Sequence, residues 1–207
     1  MFLPVEILQE IFNCLDTSHD GLRTLYSCLL VDRRWCSNIV KILWSKPFYY
    51  ANSFATNPNP HKIIDTYLSC LDEEVKEDLR NNGVKLPITY RKPLFAYESY
   101  HKHLYYRNFI SCVYLWVQEK RADCDGQLIL KTLLSLFNER CKKIQGTIYI
   151  VESTISPMFY VQSEHEYLFS NVNRIWVDYP FIPRFFDLLA KNCKKVVRIF
   201  FNYMLVV

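Results

Sequence analysis

Three short runs within residues 1 to 48 carry apolar residues at helical spacing, and the first of them is apolar on more of its surface than one buried face requires. LPVEILQEIF opens with Leu3-Pro4 and has Glu6 two residues further on, the proline-then-acid order that a helix N-terminus tolerates and favours. Leu8, Ile11, Phe12 and Leu15 then make one helical stripe, while Ile7, Ile11 and Cys14 make a second on the adjacent face. Three short helices can bury one such stripe among themselves. The other predicts a partner.

Asp16 to Gly21 has turn composition and ends the first helix. Leu22, Leu25, Tyr26, Leu29 and Leu30 then predict a second, and Asp32 is placed to cap a third that carries Trp35, Ile39, Ile42 and Leu43, with Pro47 as its stop. Arg33 and Arg34 on the opening turn of that third helix oppose its dipole, a small cost that a binding surface explains better than a core does. An amphipathic segment with two tryptophans is by itself most often a piece of core. The order of residues says more. Leu3-Pro4-x-Glu6-Ile7, then Ile11-Phe12 and Leu15, Leu25, Val31-Asp32-Arg33-Arg34-Trp35 and Leu43-Trp44, resembles the F-box. The resemblance implies a three-helix module that docks on a Skp-family adaptor, and through it on a cullin-RING ubiquitin ligase. Carried over position by position, it makes Leu3, Pro4, Ile7, Ile11, Leu25, Val31 and Trp35 adaptor-facing, with Trp44 as the last hydrophobic anchor.

Composition narrows the remaining functions. Half of the 207 residues are hydrophobic, enough for a real core, and only four are glycine. Phosphate-cradling loops need glycine, and neither a P-loop nor a dinucleotide fingerprint is present, so nucleotide chemistry and a nucleotide cofactor are not expected. The net charge of +4 comes from basic and acidic residues scattered along the chain, too weak a bias to imply nucleic acid or membrane as partner. Met1-Phe2 leads into LPVEILQE without a basic leader, and no apolar run approaches the roughly 18 residues of a membrane span. The eight cysteines therefore read as reduced thiols of a cytoplasmic or nuclear protein.

Residues 49 to 125 read as a linker and a helical region. Asn52 to Pro60 has loop composition, a helix is predicted from His61 through Ile64, Tyr67, Leu68 and Leu71, and DEEVKEDLRNNG continues or restarts it up to the Asn82-Gly83 stop signal. Tyr97, Tyr100, Tyr105 and Tyr106 are interleaved with Arg91, Lys92, His101, Lys102, His103 and Arg107. That mixture suits a single-strand nucleic-acid platform, but tyrosine suits a half-buried helix equally well and no nucleic-acid motif accompanies it. His101-x-His103 is a poor chelate on a helix, and no Cys-x-x-Cys occurs, so no metal site is expected. Cys112 or Cys124 could act as a nucleophile with a distant histidine, yet nothing local activates either thiol.

Residues 126 to 207 predict an α/β region. A helix built on Leu128, Leu130, Leu133, Leu134, Leu136 and Phe137 ends near Arg140-Cys141-Lys142-Lys143, and strands begin at Thr147, Arg174 and Arg198, about 24 to 27 residues apart. Phe185, Leu188 and Leu189 followed by Cys193-Lys194-Lys195 repeat the helix and its exit. This period, with a strand and a helix in each unit, resembles the divergent leucine-rich repeats found after the F-box in fungal families; an ordinary α/β domain with a small parallel sheet is the alternative. The apolar end Tyr203 to Val207 lacks a polar capping unit, which predicts an incomplete repeat set and poor solubility in isolation.

The expected fold is thus mainly α with a C-terminal α/β part: a three-helix F-box at 1–48, a helical middle at 49–125, and an incomplete leucine-rich-repeat-like region at 126–207. The expected function is that of a non-enzymatic substrate receptor, binding the Skp-family adaptor through the first part and a protein substrate through the last. A scaffolding solenoid unconnected to ubiquitin is the alternative, and a nucleic-acid binder using the tyrosine-rich middle the third reading.

Overall fold

The computed structural model describes residues 3–16, 21–50, 59, 61–87, 93–120, 126–140, 147–150, 174–178, 190 and 198–202. Helix α1 (Val5–Asp16) starts directly after Pro4, and only Leu8 and Phe12 of its length are buried. Helices α2 (Gly21–Cys28) and α3 (Arg33–Leu43) fold back on it, and Leu8, Phe12, Leu25, Ile39 and Leu43 close into one small core. Asp32 caps α3 as expected: its backbone is extended and its carboxylate accepts the Trp35 amide at 2.8 Å. Pro47 does not stop α3, which has already ended at Leu43. It opens the short helix α4 (Pro47–Tyr50), a first-turn position where its missing N–H costs nothing.

A second, larger core runs from Phe48 to Phe137. Helices α5 (Lys62–Ser69) and α6 (Glu73–Asn81) are separated by residues 70–72, so the acidic-basic stretch restarts a helix rather than extending one. Gly83 sits at φ 84° just past α6, where its N–H reaches the Arg80 carbonyl at 3.0 Å and the Val84 N–H reaches that of Leu79 at 3.0 Å. This pair of bonds is the Schellman termination, and the buried Leu79 and Val84 supply its apolar contact. Helix α7 (Tyr97–Tyr100) leads to the long helices α8 (Tyr106–Lys120) and α9 (Gly126–Arg140). They approach closely at Gly126, where a Cβ would lie 3.3 Å from the Tyr114 ring. Ile129, Leu133 and Phe137 of α9 share their core with Ile64 and Leu68 of α5 and with Phe109, Val113 and Trp116 of α8. This core crosses the boundary expected at residue 125. Between α8 and α5, the Trp116 indole N–H donates to the Asp65 carboxylate at 2.8 Å.

The two cores are joined at residues 44–48. Trp44 packs against both, with its ring 5.2 Å from that of Tyr67 and 4.4 Å from that of Tyr97. The Ser45 carbonyl accepts the amides of Lys102 (2.8 Å) and His103 (2.9 Å), and the Phe48 carbonyl accepts the Asn108 side-chain amide at 2.7 Å. Lys46 pairs with Asp16 at the end of α1 at 2.6 Å. The three-helix unit is therefore bonded directly to the larger helical region.

Beyond α9, three short parallel strands, β1 (Thr147–Ile150), β2 (Arg174–Asp178) and β3 (Arg198–Asn202), form a sheet in the order β1-β2-β3, with Thr147, Arg174 and Arg198 in register. These are the three expected strand starts, and α8 lies against β1. The expected repeats around Cys141 and Cys193, the helix at Phe185 to Leu189, the loop expected at Asn52 to Pro60 except for Asn59, and the end at Tyr203 to Val207 lie outside the described residues.

His101 is fully enclosed among the rings of Phe48, Tyr67 and Phe137. Its Nε2 lies 3.1 Å from the His103 carbonyl, which can only accept, so Nε2 carries the proton and Nδ1 accepts the Tyr67 hydroxyl at 3.2 Å. Burial pushes its pKa from an ordinary 6.5 down to about 3. Between those values the unfolded chain binds a proton that the folded chain refuses, so the stability held above pH 6.5 falls as pH drops towards 3. The loss should approach about 1.4 kcal/mol per pH unit for one proton. Thermal melts of wild type and His101→Phe from pH 7 to pH 4 should converge as the pH falls; a constant gap between them would contradict this origin.

Candidate functional site

Burial of Leu8 and Phe12 fixes the rotation of α1, and the same rotation turns Ile7 and Ile11 outward. Leu3, Ile7 and Ile11 are spaced four residues apart and are 48, 48 and 42 % exposed, forming an apolar ridge that Pro4 continues at its start. At the α2–α3 turn, the amides of Leu30 and Val31 bond back to the carbonyls of Ser27 and Cys28. The tight turn leaves Leu30 88 % and Val31 58 % exposed. Isolated apolar residues on a surface are ordinary, but these five, with Tyr26 of α2 exposed as well, make a sticky surface on one three-helix unit.

Of the residues expected to face a partner, Leu3, Pro4, Ile7, Ile11 and Val31 are at the surface. Leu25 is not: it is wholly enclosed beneath them, because α2 must give its one central leucine to the small core. Trp35 is half-buried, its ring edge-on to Phe12 at 5.2 Å. Trp44 is committed to the joint between the two cores. Tyr26 and Leu30 belong to a helical stripe by their spacing, yet both are exposed. The three consecutive apolar residues Leu29, Leu30 and Val31 are the signal for this in the sequence, since one helix face cannot take all three.

The other candidate chemistries fare differently. Burial pushes the Cys112 thiol up to about 12, far from an activated nucleophile, and Cys124 lies outside the described residues. Both ring nitrogens of His101 are engaged by protein groups, and no cluster of three or more metal-ligating side chains occurs among the described residues. Tyr97 packs on Trp44 and Phe95, and Tyr105 on Tyr49, so these two rings already have protein partners. No described helix is long and apolar enough to cross a membrane. A cleft of about 570 Å³ lies between the α5–α6 connection, residues 93–96 and the end of α9. Arg140 crosses it to Asp72 at 2.6 Å and Glu98 at 3.6 Å, so its main cation is already neutralised.

The contrast between the faces of α1 is measurable. Leu8→Ala should lower stability by about 2–5 kcal/mol, whereas Ile7→Ser and Ile11→Ser should stay within about 0.5 kcal/mol, by chemical denaturation. Equal losses from all three would mean that the outer ridge is covered within the chain.

Compared with known families, residues 2–50 match the F-box-like family model. The matched stretch is the three-helix unit with its joint to the second core. Neither the curated proteins nor the solved structures contain a match to the chain.

Proposed function

We propose that this chain is the substrate-recognition subunit of a Skp-cullin-F-box ubiquitin ligase. One observation carries the reading: the stretch that matches the F-box-like family model is also the stretch that leaves Leu3, Ile7, Ile11 and Val31 exposed around a closed core. An F-box-like domain points to protein–protein interaction, typically with a Skp-family adaptor. The apolar ridge is the kind of surface such an interface covers, because exposed aliphatic side chains gain from burial against a complementary apolar groove.

The remainder of the chain then presents a protein substrate. Three in-register parallel strands starting 27 and 24 residues apart support a leucine-rich-repeat-like arrangement, in which each unit buries its face against the next. The chain performs no chemistry in this reading. It acts in the cytosol or nucleus by holding a substrate near a ubiquitin-conjugating enzyme that the cullin scaffold recruits, which raises the local concentration of target lysines. The joint at 44–48 transmits that placement, since it bonds the docking unit to the larger helical region.

Co-purification tests the reading. Wild type should retain a Skp-family adaptor and the cullin through a gel-filtration column, and Leu3→Ala/Pro4→Ala should lose both while keeping its melting temperature. A wild-type chain that never binds the adaptor would sink the receptor reading and leave a scaffold unconnected to ubiquitin.

A further inference from the structure

We infer that Arg34 is a positioning residue for the docking ridge, acting through the backbone of Leu3. Leu3 lies one residue before the helix cap, so the α1 hydrogen-bond ladder, which begins with the Leu8 amide on the Pro4 carbonyl at 3.2 Å, does not hold it. Pro4 restricts Leu3 to extended backbone but leaves its direction open. The Arg34 guanidinium supplies the direction: Nη2 donates to the Leu3 carbonyl at 2.6 Å, across 31 residues of sequence. The side chain of Leu3 is thereby presented in line with Ile7 and Ile11 rather than trailing from the helix end.

Arg34 is itself held on both sides. Its backbone belongs to the first turn of α3, which Asp32 caps, and its carbonyl accepts the Asn38 side-chain amide at 2.8 Å and the Ser37 hydroxyl at 3.0 Å. Buried Asn38 then accepts the Gln9 side-chain amide at 3.3 Å, tying α3 to the second turn of α1. Two polar ties, one at Leu3 and one at Gln9, set α1 against α3 where the aliphatic core alone would permit sliding. A cation on the opening turn of α3 opposes the helix dipole, and this bond accounts for its place.

The inference rests on the docking reading, and its test separates the two. Calorimetric titration of a purified Skp-family adaptor into wild type, Leu3→Ala, Arg34→Met and the double variant forms a cycle; methionine keeps the apolar stem and removes the donors. Arg34→Met should weaken binding about three- to tenfold, the worth of one hydrogen bond, and the double variant should bind no worse than Leu3→Ala. Unchanged affinity in Arg34→Met overturns the inference, as do additive effects, which would place Arg34 against the adaptor itself. In the free protein, the backbone N–H order parameter of Leu3 from NMR relaxation should fall in Arg34→Met while that of Ile39 stays constant. If wild type fails to bind the adaptor, the docking reading falls and this measurement decides alone: an unchanged Leu3 order parameter removes the clamp.

Discussion

Everything outward on the N-terminal unit depends on how Leu8 and Phe12 are buried against Leu25, Ile39 and Leu43. Successive residues on a helix are separated by about 100°, so once Leu8 and Phe12 point inward, Ile7 is turned off the buried face and Ile11, at the edge of the same stripe, is left 42 % exposed. A core of five fully or nearly enclosed side chains is small for a free-standing domain, and the unit does not stand free. Trp44 packs into it and into the larger core at once, and the carbonyls of Ser45 and Phe48 are bonded to residues of the helical region. Stability is borrowed through that joint, which lets the unit leave an apolar ridge uncovered.

The same joint gives the chain mechanical continuity. A docking module on a flexible tether raises local concentration over a wide volume, whereas one bonded at several points fixes a direction as well. Phe48, Tyr67, His101, Phe109 and Phe137 surround the junction with aromatic contacts, and His101 satisfies both of its ring nitrogens there without carrying charge. Neutral histidine at this position is a consequence of enclosure: the ring has aromatic neighbours in place of water, and burial outweighs the hydrogen bond to the His103 carbonyl that favours the cation.

Much of the site is legible in the residue pattern. The helical stripes, the Asp32 cap and the Asn82-Gly83 stop follow from local rules, because caps and periodicity involve residues three or four positions apart. The surface positions of Leu3, Pro4, Ile7, Ile11 and Val31 follow from the family resemblance. The outward assignment of Leu25 does not survive, since orientation on α2 depends on which helices lie beside it. Trp44, expected as the last hydrophobic anchor of the adaptor-binding set, packs between two cores, and Pro47, expected to stop a helix, starts one. In each case the residue type is informative, but its neighbour across space is not written in it.

The sequence by itself determined that residues 5–43 form short amphipathic helices with more apolar surface than they can cover, and that strands recur at Thr147, Arg174 and Arg198, because both depend on periodicity along the chain. Only the tertiary structure decided which apolar residues are spare and how the unit is fastened: the Arg34–Leu3 and Ser45–Lys102 hydrogen bonds span 31 and 57 residues of sequence. Such contacts arise from packing between elements, and no local rule of spacing, propensity or capping encodes them.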